Sequence, residues 1–372
     1  MKLSMRVLQI SSAKTYGGGE RHVIDLSRGL LERGHEVFAA VRPTCTWRKR
    51  LDFLPEGRVF EVSIRNSFGV LSAMRIAEFV RDNEIELIHA HVARDYVPAS
   101  IACMAAKSSR YLVTRHVMFP LKPFNKFALR NCARFIGVSD AVGVELRKLF
   151  AKERVRVIPN GIDLGRYKAE SGHEKRASFR EFHSIPADAP LVGTLGELKE
   201  QKGQRDLILA AHEVLKEVPE AYFVIVGQDH SLDGRFRREL KRLASVMGME
   251  ERFLWLDWLE DTSEFFAAID LFVSPSHSES FGLAILEAMA FGVTVVATET
   301  EGAKELLGET EQLVPIRDPL KMSRAIVRYL TGDLERMEAA AAAKLRAEQK
   351  YSLDRMLDAT EALYREILAE KA

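Results

Sequence analysis

Short apolar runs of three to five residues recur along the chain with helical-period segments between them. That pattern marks strands buried on both faces of a parallel sheet, because such runs are too short for buried helices. The first run covers residues 7–10 and ends in Ser11-Ser12. A Gly-rich loop follows, then Val23, Leu26, Leu30 and Leu31 at helical spacing, and Gly34 closes the helix before a run at 37–41. Further runs stand at 87–89, 111–113, 135–138 and 155–158, so a parallel sheet with helices on both faces is predicted. The last of these leads into Pro159-Asn160-Gly161, a turn signal, and about thirty polar residues without pattern come next. A domain boundary belongs there. A second series occupies 191–195, 223–226, 253–256, 271–274 and 293–297, which predicts a second α/β domain. The tail 334–372, with alanines at 339–343 and Ser352 as an N-cap, reads as helical throughout.

A length of 372 residues suits two domains of ordinary size. With 47% apolar and 29% charged residues the chain is neither disordered nor collagen-like. Cys45, Cys103 and Cys132 are too few and too scattered for a disulfide framework, and no Cys-x-x-Cys is present, which points to a reducing cytoplasm. The N-terminus lacks the apolar run of a signal peptide, and no stretch reaches the ~18 apolar residues of a membrane span. Neither export nor a bilayer crossing is therefore expected. The net charge of +1 hides an asymmetry: 28 Lys+Arg against 16 Asp+Glu up to Arg166, and 26 against 37 after it. Between Asp95 and Asp140 no acid occurs, while Lys107, Arg110, Arg115, Lys122, Lys126, Arg130 and Arg134 alternate with Phe119, Leu121, Phe124, Phe127 and Phe135. This stretch is either a solvated basic face or a surface for an anionic partner such as lipid headgroups or a phosphorylated acceptor. No nucleic-acid partner is expected, since no binding motif accompanies it.

Three motifs can carry chemistry. Gly17-Gly18-Gly19-Glu20 lies between the first strand and the first helix, where open α/β folds place ligands. Its glycines either serve a tight turn or let backbone N–H groups approach a phosphate or sugar. The spacing is neither Gly-x-Gly-x-x-Gly nor a P-loop, which counts against a dehydrogenase or an NTPase. Glu279-Ser280-Phe281-Gly282-Leu283-Ala284-Ile285-Leu286-Glu287 follows the run 271–274 and enters a helix closed by Gly292. Amides near Phe281, Gly282 and Leu283 suit a diphosphate, Glu287 suits ribose hydroxyls and Glu279 suits sugar hydroxyls. Lys202-Gly203 puts a flexible cation at another sheet edge, where it suits a phosphate.

These motifs occur in order with 157–163 (Val-Ile-Pro-Asn-Gly-Ile-Asp), Gly196-x-Leu198 and Val226-Gly227, and together they resemble the GT4-type retaining glycosyltransferases of GT-B fold along essentially the whole chain. The resemblance implies two Rossmann-like, doubly wound parallel-sheet domains facing a cleft. Residues 1–166 would be the acceptor domain, 167–350 the nucleotide-sugar domain, and 351–372 a C-terminal helix crossing back to the first domain. It also implies that Glu279 binds the transferred sugar with Phe281, Gly282 and Leu283 as backbone donors. Glu287 is then the ribose ligand, Lys202 the diphosphate cation, and His116 the cleft histidine against the donor sugar. Gly17, Gly18 and Gly19 help to hold the donor. His89 and His91, two apart on a strand with no third ligand near them in sequence, are read as structural.

One position departs from the pattern: Glu197 stands where the family commonly has Arg, so Lys199 and Arg205 become candidate substitutes. No Asp-x-Asp occurs, and a metal-independent enzyme without cofactors is expected, using a UDP-, GDP- or ADP-linked sugar. The acceptor is expected to be a saccharide or lipid-linked hydroxyl of the cell envelope, the base to be read near Trp258-Leu259, and the location to be the cytoplasm or the inner membrane face. Alternatives are a non-catalytic nucleotide-sugar-binding or membrane-docking module and a GT-B epimerase.

Overall fold

The computed structural model describes residues 4–64, 69–167 and 172–370. The chain divides into two compact units, residues 1–161 with 353–372, and residues 162–352. In the first, strands β1 (Arg6–Ser11), β2 (Glu36–Val41), β3 (Val59–Glu61), β4 (Leu87–Ala90), β5 (Arg110–Arg115), β6 (Arg134–Gly137) and β7 (Val155–Val157) form one parallel sheet. The helices of this unit are α1 (Gly18–Glu32), α2 (Val70–Asp82), α3 (Tyr96–Ala106), α4 (Asn125–Ala128) and α5 (Asp140–Arg147).

The second unit carries α6 (Gly172–Phe182), α7 (Gln204–Glu217), α8 (Arg235–Val246), α9 (Ser263–Ala268), α10 (Leu283–Phe291), α11 (Glu301–Leu307), α12 (Pro319–Thr331) and α13 (Asp333–Lys350). Its parallel sheet consists of β8 (Leu191–Leu195), β9 (Tyr222–Val226), β10 (Phe253–Leu256), β11 (Leu271–Ser274), β12 (Thr294–Thr298) and β13 (Leu313–Val314). The last helix, α14 (Leu353–Ala369), belongs to the first unit.

The strand orders are β3-β2-β1-β4-β5-β6-β7 and β10-β9-β8-β11-β12-β13. Each reverses direction once, between β1 and β4 and between β8 and β11, and ligands of such sheets bind outside the carboxyl ends of the strands at that switch. Both units are therefore Rossmann-like and doubly wound. Their central strands are rich in Val, Ile, Leu and Phe with almost no exposure, as helices on both faces require, and in the first unit they also bury Gln9, His89 and Thr114.

Two edge strands, β3 and β13, add to the runs read from sequence. The tail is helical on either side of Ser352, the position expected as an N-cap. It breaks at Tyr351 and Ser352, where Ser352 forms a parallel bridge with Ile162, and α14 begins anew; residues 371–372 lie outside the described ones. α14 buries Met356, Leu357, Leu363, Tyr364 and Ile367. It packs on α1 where a Cβ at Gly29 would meet Leu357 Cδ1 at 2.4 Å, so only glycine admits this approach. Arg33 holds the same helix through Asp358 at 2.7 Å. Among the described residues no helix is long and apolar enough to cross a membrane.

Candidate functional site

In the second unit the two loops that flank the switch point are joined side to side. A Cβ at Gly203, whose φ is +68°, would lie 1.9 Å from the Pro275 carbonyl oxygen, so the loop after β8 touches the loop after β11 backbone to backbone. The His277 N–H donates to the Gln201 carbonyl at 2.8 Å, and His277 Nε2 meets Asp206 Oδ2 at 2.7 Å. This contact brings Lys202 Nζ to 2.5 Å from Glu279 Oε2. Both side chains keep some exposure, 25% and 20%, so the pair is accessible to a ligand.

The Glu279 loop is held from its other side by α11. Gly302 donates its N–H to the Glu279 carbonyl at 3.0 Å, and a Cβ there would lie 2.5 Å from the Phe281 carbonyl oxygen. Phe281 is buried with its ring edge-on to Tyr351, and Gly282 turns the chain into α10 at a φ of +98°. The first N–H groups of α10, starting at Leu283, lack partners within the helix by construction. One turn on, Glu287 is buried, and its Oε1 accepts from the Tyr167 hydroxyl at 2.9 Å and from Thr262 Oγ1 at 3.3 Å. Tyr167, Thr262 and Gly302 were invisible to sequence reasoning, since nothing local ties them to positions up to 120 residues away.

Lys199 pairs with Glu197 at 2.6 Å, and Arg205 lies 4.0 Å from Glu200 and 3.7 Å from Glu239. Both candidate substitutes for the departed Arg are thus engaged by acids.

In the first unit, Ser12 after β1 donates its N–H to Asp95 Oδ2 at 2.7 Å, across the switch point. Burial raises the Asp95 carboxyl to about 6 and that of Glu20 to about 7. Gly17 is extended, and none of Gly17, Gly18 and Gly19 has a positive φ. The His116 ring lies over Gly19, 3.7 Å from where a Cβ would stand, an ordinary contact. Neither backbone strain nor crowding therefore demands glycine at 17 or 19.

His116 stands in a histidine cluster. Its Nε2 is 3.3 Å from His91 Nδ1, and the His22 ring centroid is 4.8 Å from its own. His91 Nε2 is 2.7 Å from Gln9 Oε1, and Gln9 Nε2 donates to the Tyr364 hydroxyl at 3.2 Å. That hydroxyl is 2.6 Å from His89 Nδ1, whose Nε2 is 2.7 Å from Thr114 Oγ1. His89 is structural, clamped between α14 and β5. His91 lies beside His22 and His116, which the sequence did not bring near it, because β1, β4 and β5 are sheet neighbours. Burial lowers His22 to about 4 and puts His89, His91 and His116 well below the ordinary histidine range. His116 is therefore a neutral imidazole at pH 7, a hydrogen-bonding group and not a cation.

Residues 16–166 match the family described as Glycosyltransferase Family 4, and residues 189–332 match Glycosyl transferases group 1. The lipopolysaccharide core biosynthesis glycosyltransferase LpsE of Rhizobium meliloti (strain 1021) is 30% identical over 95% of this chain and 96% of its own. A glycosyltransferase from Rickettsia africae ESF-5 shares the fold with a TM-score of 0.89 at 22% identity, covering 99% of this chain and 100% of that one. Anabaena Alr3699/HepE, solved in complex with UDP and glucose, has a TM-score of 0.84 at 22% identity, covering 97% of this chain and 100% of its own. On the two family matches and the full-length relative, the chain belongs to the family 4 glycosyltransferases and is a glycosyltransferase with the Rossmann-like domains of the GT-B fold.

Proposed function

We propose that the enzyme moves a hexosyl group from a nucleotide sugar to a hydroxyl of a saccharide or lipid-linked acceptor of the cell envelope, with retention at the anomeric carbon and no obligatory metal. The observation that carries this reading is the Lys202–Glu279 pair at the switch point, 2.5 Å apart, accessible, and fixed by two loops. A donor exchanges that pair for two better-matched contacts: the ammonium turns to the diphosphate, and the carboxylate accepts from sugar hydroxyls. The Phe281, Gly282 and Leu283 amides take phosphate oxygens at the start of α10, and Glu287 takes the ribose. Trp258, exposed after β10, meets the base in this reading. In the first unit, Gly17, Gly18 and Gly19 bare backbone for the donor, and neutral His116 hydrogen-bonds the transferred sugar.

The bond from C1 to the diphosphate oxygen breaks through an oxocarbenium-like state, with Lys202 and the amides meeting the charge that develops on the leaving group. The acceptor oxygen bonds to C1 on the same face, and its proton passes to the departing phosphate. The acceptor class is supported by LpsE, a lipopolysaccharide core enzyme by name. Incubation of α-linked UDP-, GDP- and ADP-sugars with an acceptor in EDTA, followed by NMR of the product anomer, tests the reading. An α-linked product from one base is expected; a β-linked product, or turnover that needs a divalent cation, contradicts it.

The basic stretch supports a membrane-facing acceptor side. Phe119 is 64% exposed and Phe127 72%, between Lys122, Lys126 and Arg130. Co-sedimentation with phosphatidylglycerol vesicles that weakens with salt is expected, and no binding at low salt would return this stretch to a solvated face.

A further inference from the structure

The first unit holds a second arrangement, of which the proposed sugar transfer uses only one member, His116. His22 on α1, His91 after β4 and His116 after β5 each offer a ring nitrogen, and these nitrogens lie within 4.8 Å of one another. One edge of the triangle, His91 Nδ1 to His116 Nε2, is 3.3 Å. A zinc tetrahedron with Zn–N bonds of 2.0–2.1 Å has N···N edges of about 3.4 Å, so that edge already fits. The remaining edges close by no more than about 1.4 Å, within reach of a side-chain rotation at His22.

The surroundings orient the rings as metal ligands. Gln9 donates its Nε2 to Tyr364, which fixes its Oε1 as the acceptor for His91 Nε2–H and leaves the His91 Nδ1 lone pair facing His116. A carboxamide oxygen behind an imidazole sets tautomer and direction in this way at metal sites. Asn160 lies beside His22 and interacts with it, yet His22 Nδ1 and Asn160 Oδ1 are both buried without a hydrogen bond of ordinary length and angle. A buried polar atom left so is costly, and a cation drawing His22 toward it through the other nitrogen would polarise Nδ1–H toward that oxygen.

We propose that His22, His91 and His116 form a three-imidazole site for a borderline-soft divalent cation, zinc above all, which inhibits transfer by occupying His116. Three histidines bind zinc and leave a fourth position to water, on the partly exposed His116 side; magnesium, which prefers oxygen ligands, does not compete. The inhibition, but not the binding, rests on the role proposed for His116.

The test uses the full chain stripped with EDTA and desalted. Zinc chloride is titrated against a coloured chelator, cobalt chloride is read by its visible spectrum, and magnesium chloride serves as comparison. One zinc per chain and an intense, low-symmetry cobalt band are expected. Binding should weaken at least 30-fold in His22→Asn and in His91→Gln, while His22→Asn keeps its melting transition and its turnover in EDTA. No stoichiometric zinc, an octahedral cobalt spectrum, or affinity unchanged in both variants would overturn the site. Zinc that binds as expected yet leaves turnover untouched would keep the site and remove His116 from the reaction.

Discussion

Four imidazoles, those of His22, His89, His91 and His116, stay neutral through burial, and this makes each a liability in acid. The unfolded chain protonates them near the ordinary value of about 6.5, whereas His22 in the fold waits until about 4. As pH falls through that window the unfolded state binds more protons, so stability falls with it. Two carboxyls work the other way. Glu20, raised to about 7, and Asp95, raised to about 6, keep protons that the unfolded chain has already released, so their contribution is lost as pH rises through those values. Four against two leaves the first unit less stable at pH 5 than at pH 7.5. Urea titrations followed through Trp47, with Trp255→Phe and Trp258→Phe, should show the lower midpoint at pH 5, and Glu20→Gln should widen the gap; an equal or higher midpoint at pH 5 contradicts the account. Glu279, Lys202 and Phe281-Gly282 were legible in sequence because each sits in a loop whose neighbours announce it. Gln9, His22 and Tyr364 were not, since their meaning comes from strand order and from a helix at the far end of the chain.

At the scale of elements, two glycines place the Lys202 and Glu279 loops by letting backbones touch. Gly203 was read with Lys202 but its reason was not, and Gly302 on α11 carried no signal at all. In Gly302→Ala the new methyl meets the Phe281 carbonyl oxygen at 2.5 Å and its nitrogen at 2.7 Å, with no flexible side chain to give way. The segment from Glu279 to Gly282 must move. Donor affinity should fall at least 10-fold with only a few degrees lost in melting temperature, measured by calorimetric titration and thermal denaturation; donor affinity equal to wild type would show that the segment's position does not matter. Runs as short as three residues sufficed, as at 87–89 and 111–113, and of the four edge strands β7 and β10 were read as well. β3, only Val59–Glu61, and β13, only Leu313–Val314, lie at sheet edges, where half-exposed short strands leave no apolar run to detect. In the tail the N-cap signal of Ser352 was legible, and the bridge of Ser352 to Ile162 was not, because it joins residues far apart in the chain.

Over the whole molecule, both units repeat one solution, a parallel sheet with a single reversal whose strand ends carry the candidate site residues. The first sets neutral histidines and bared glycine backbone at its switch point, the second a lysine–glutamate pair and a helix start. The charge imbalance follows the same division, with the basic half carrying the expected acceptor side. The α/β architecture could be read from alternating runs alone, and its identity from motif order. In the proposed reaction the second unit holds the donor through Lys202 on the diphosphate and Glu279 on the sugar. Calorimetric titration of wild type, Lys202→Ala and Glu279→Gln with UDP, GDP and ADP and their glucose conjugates, all in EDTA, tests it most directly. One base should bind wild type; Lys202→Ala should weaken nucleotide and nucleotide sugar alike by 10-fold or more, and Glu279→Gln should abolish only the affinity added by the sugar. Unchanged nucleotide affinity in Lys202→Ala, or an intact sugar contribution in Glu279→Gln, would contradict it.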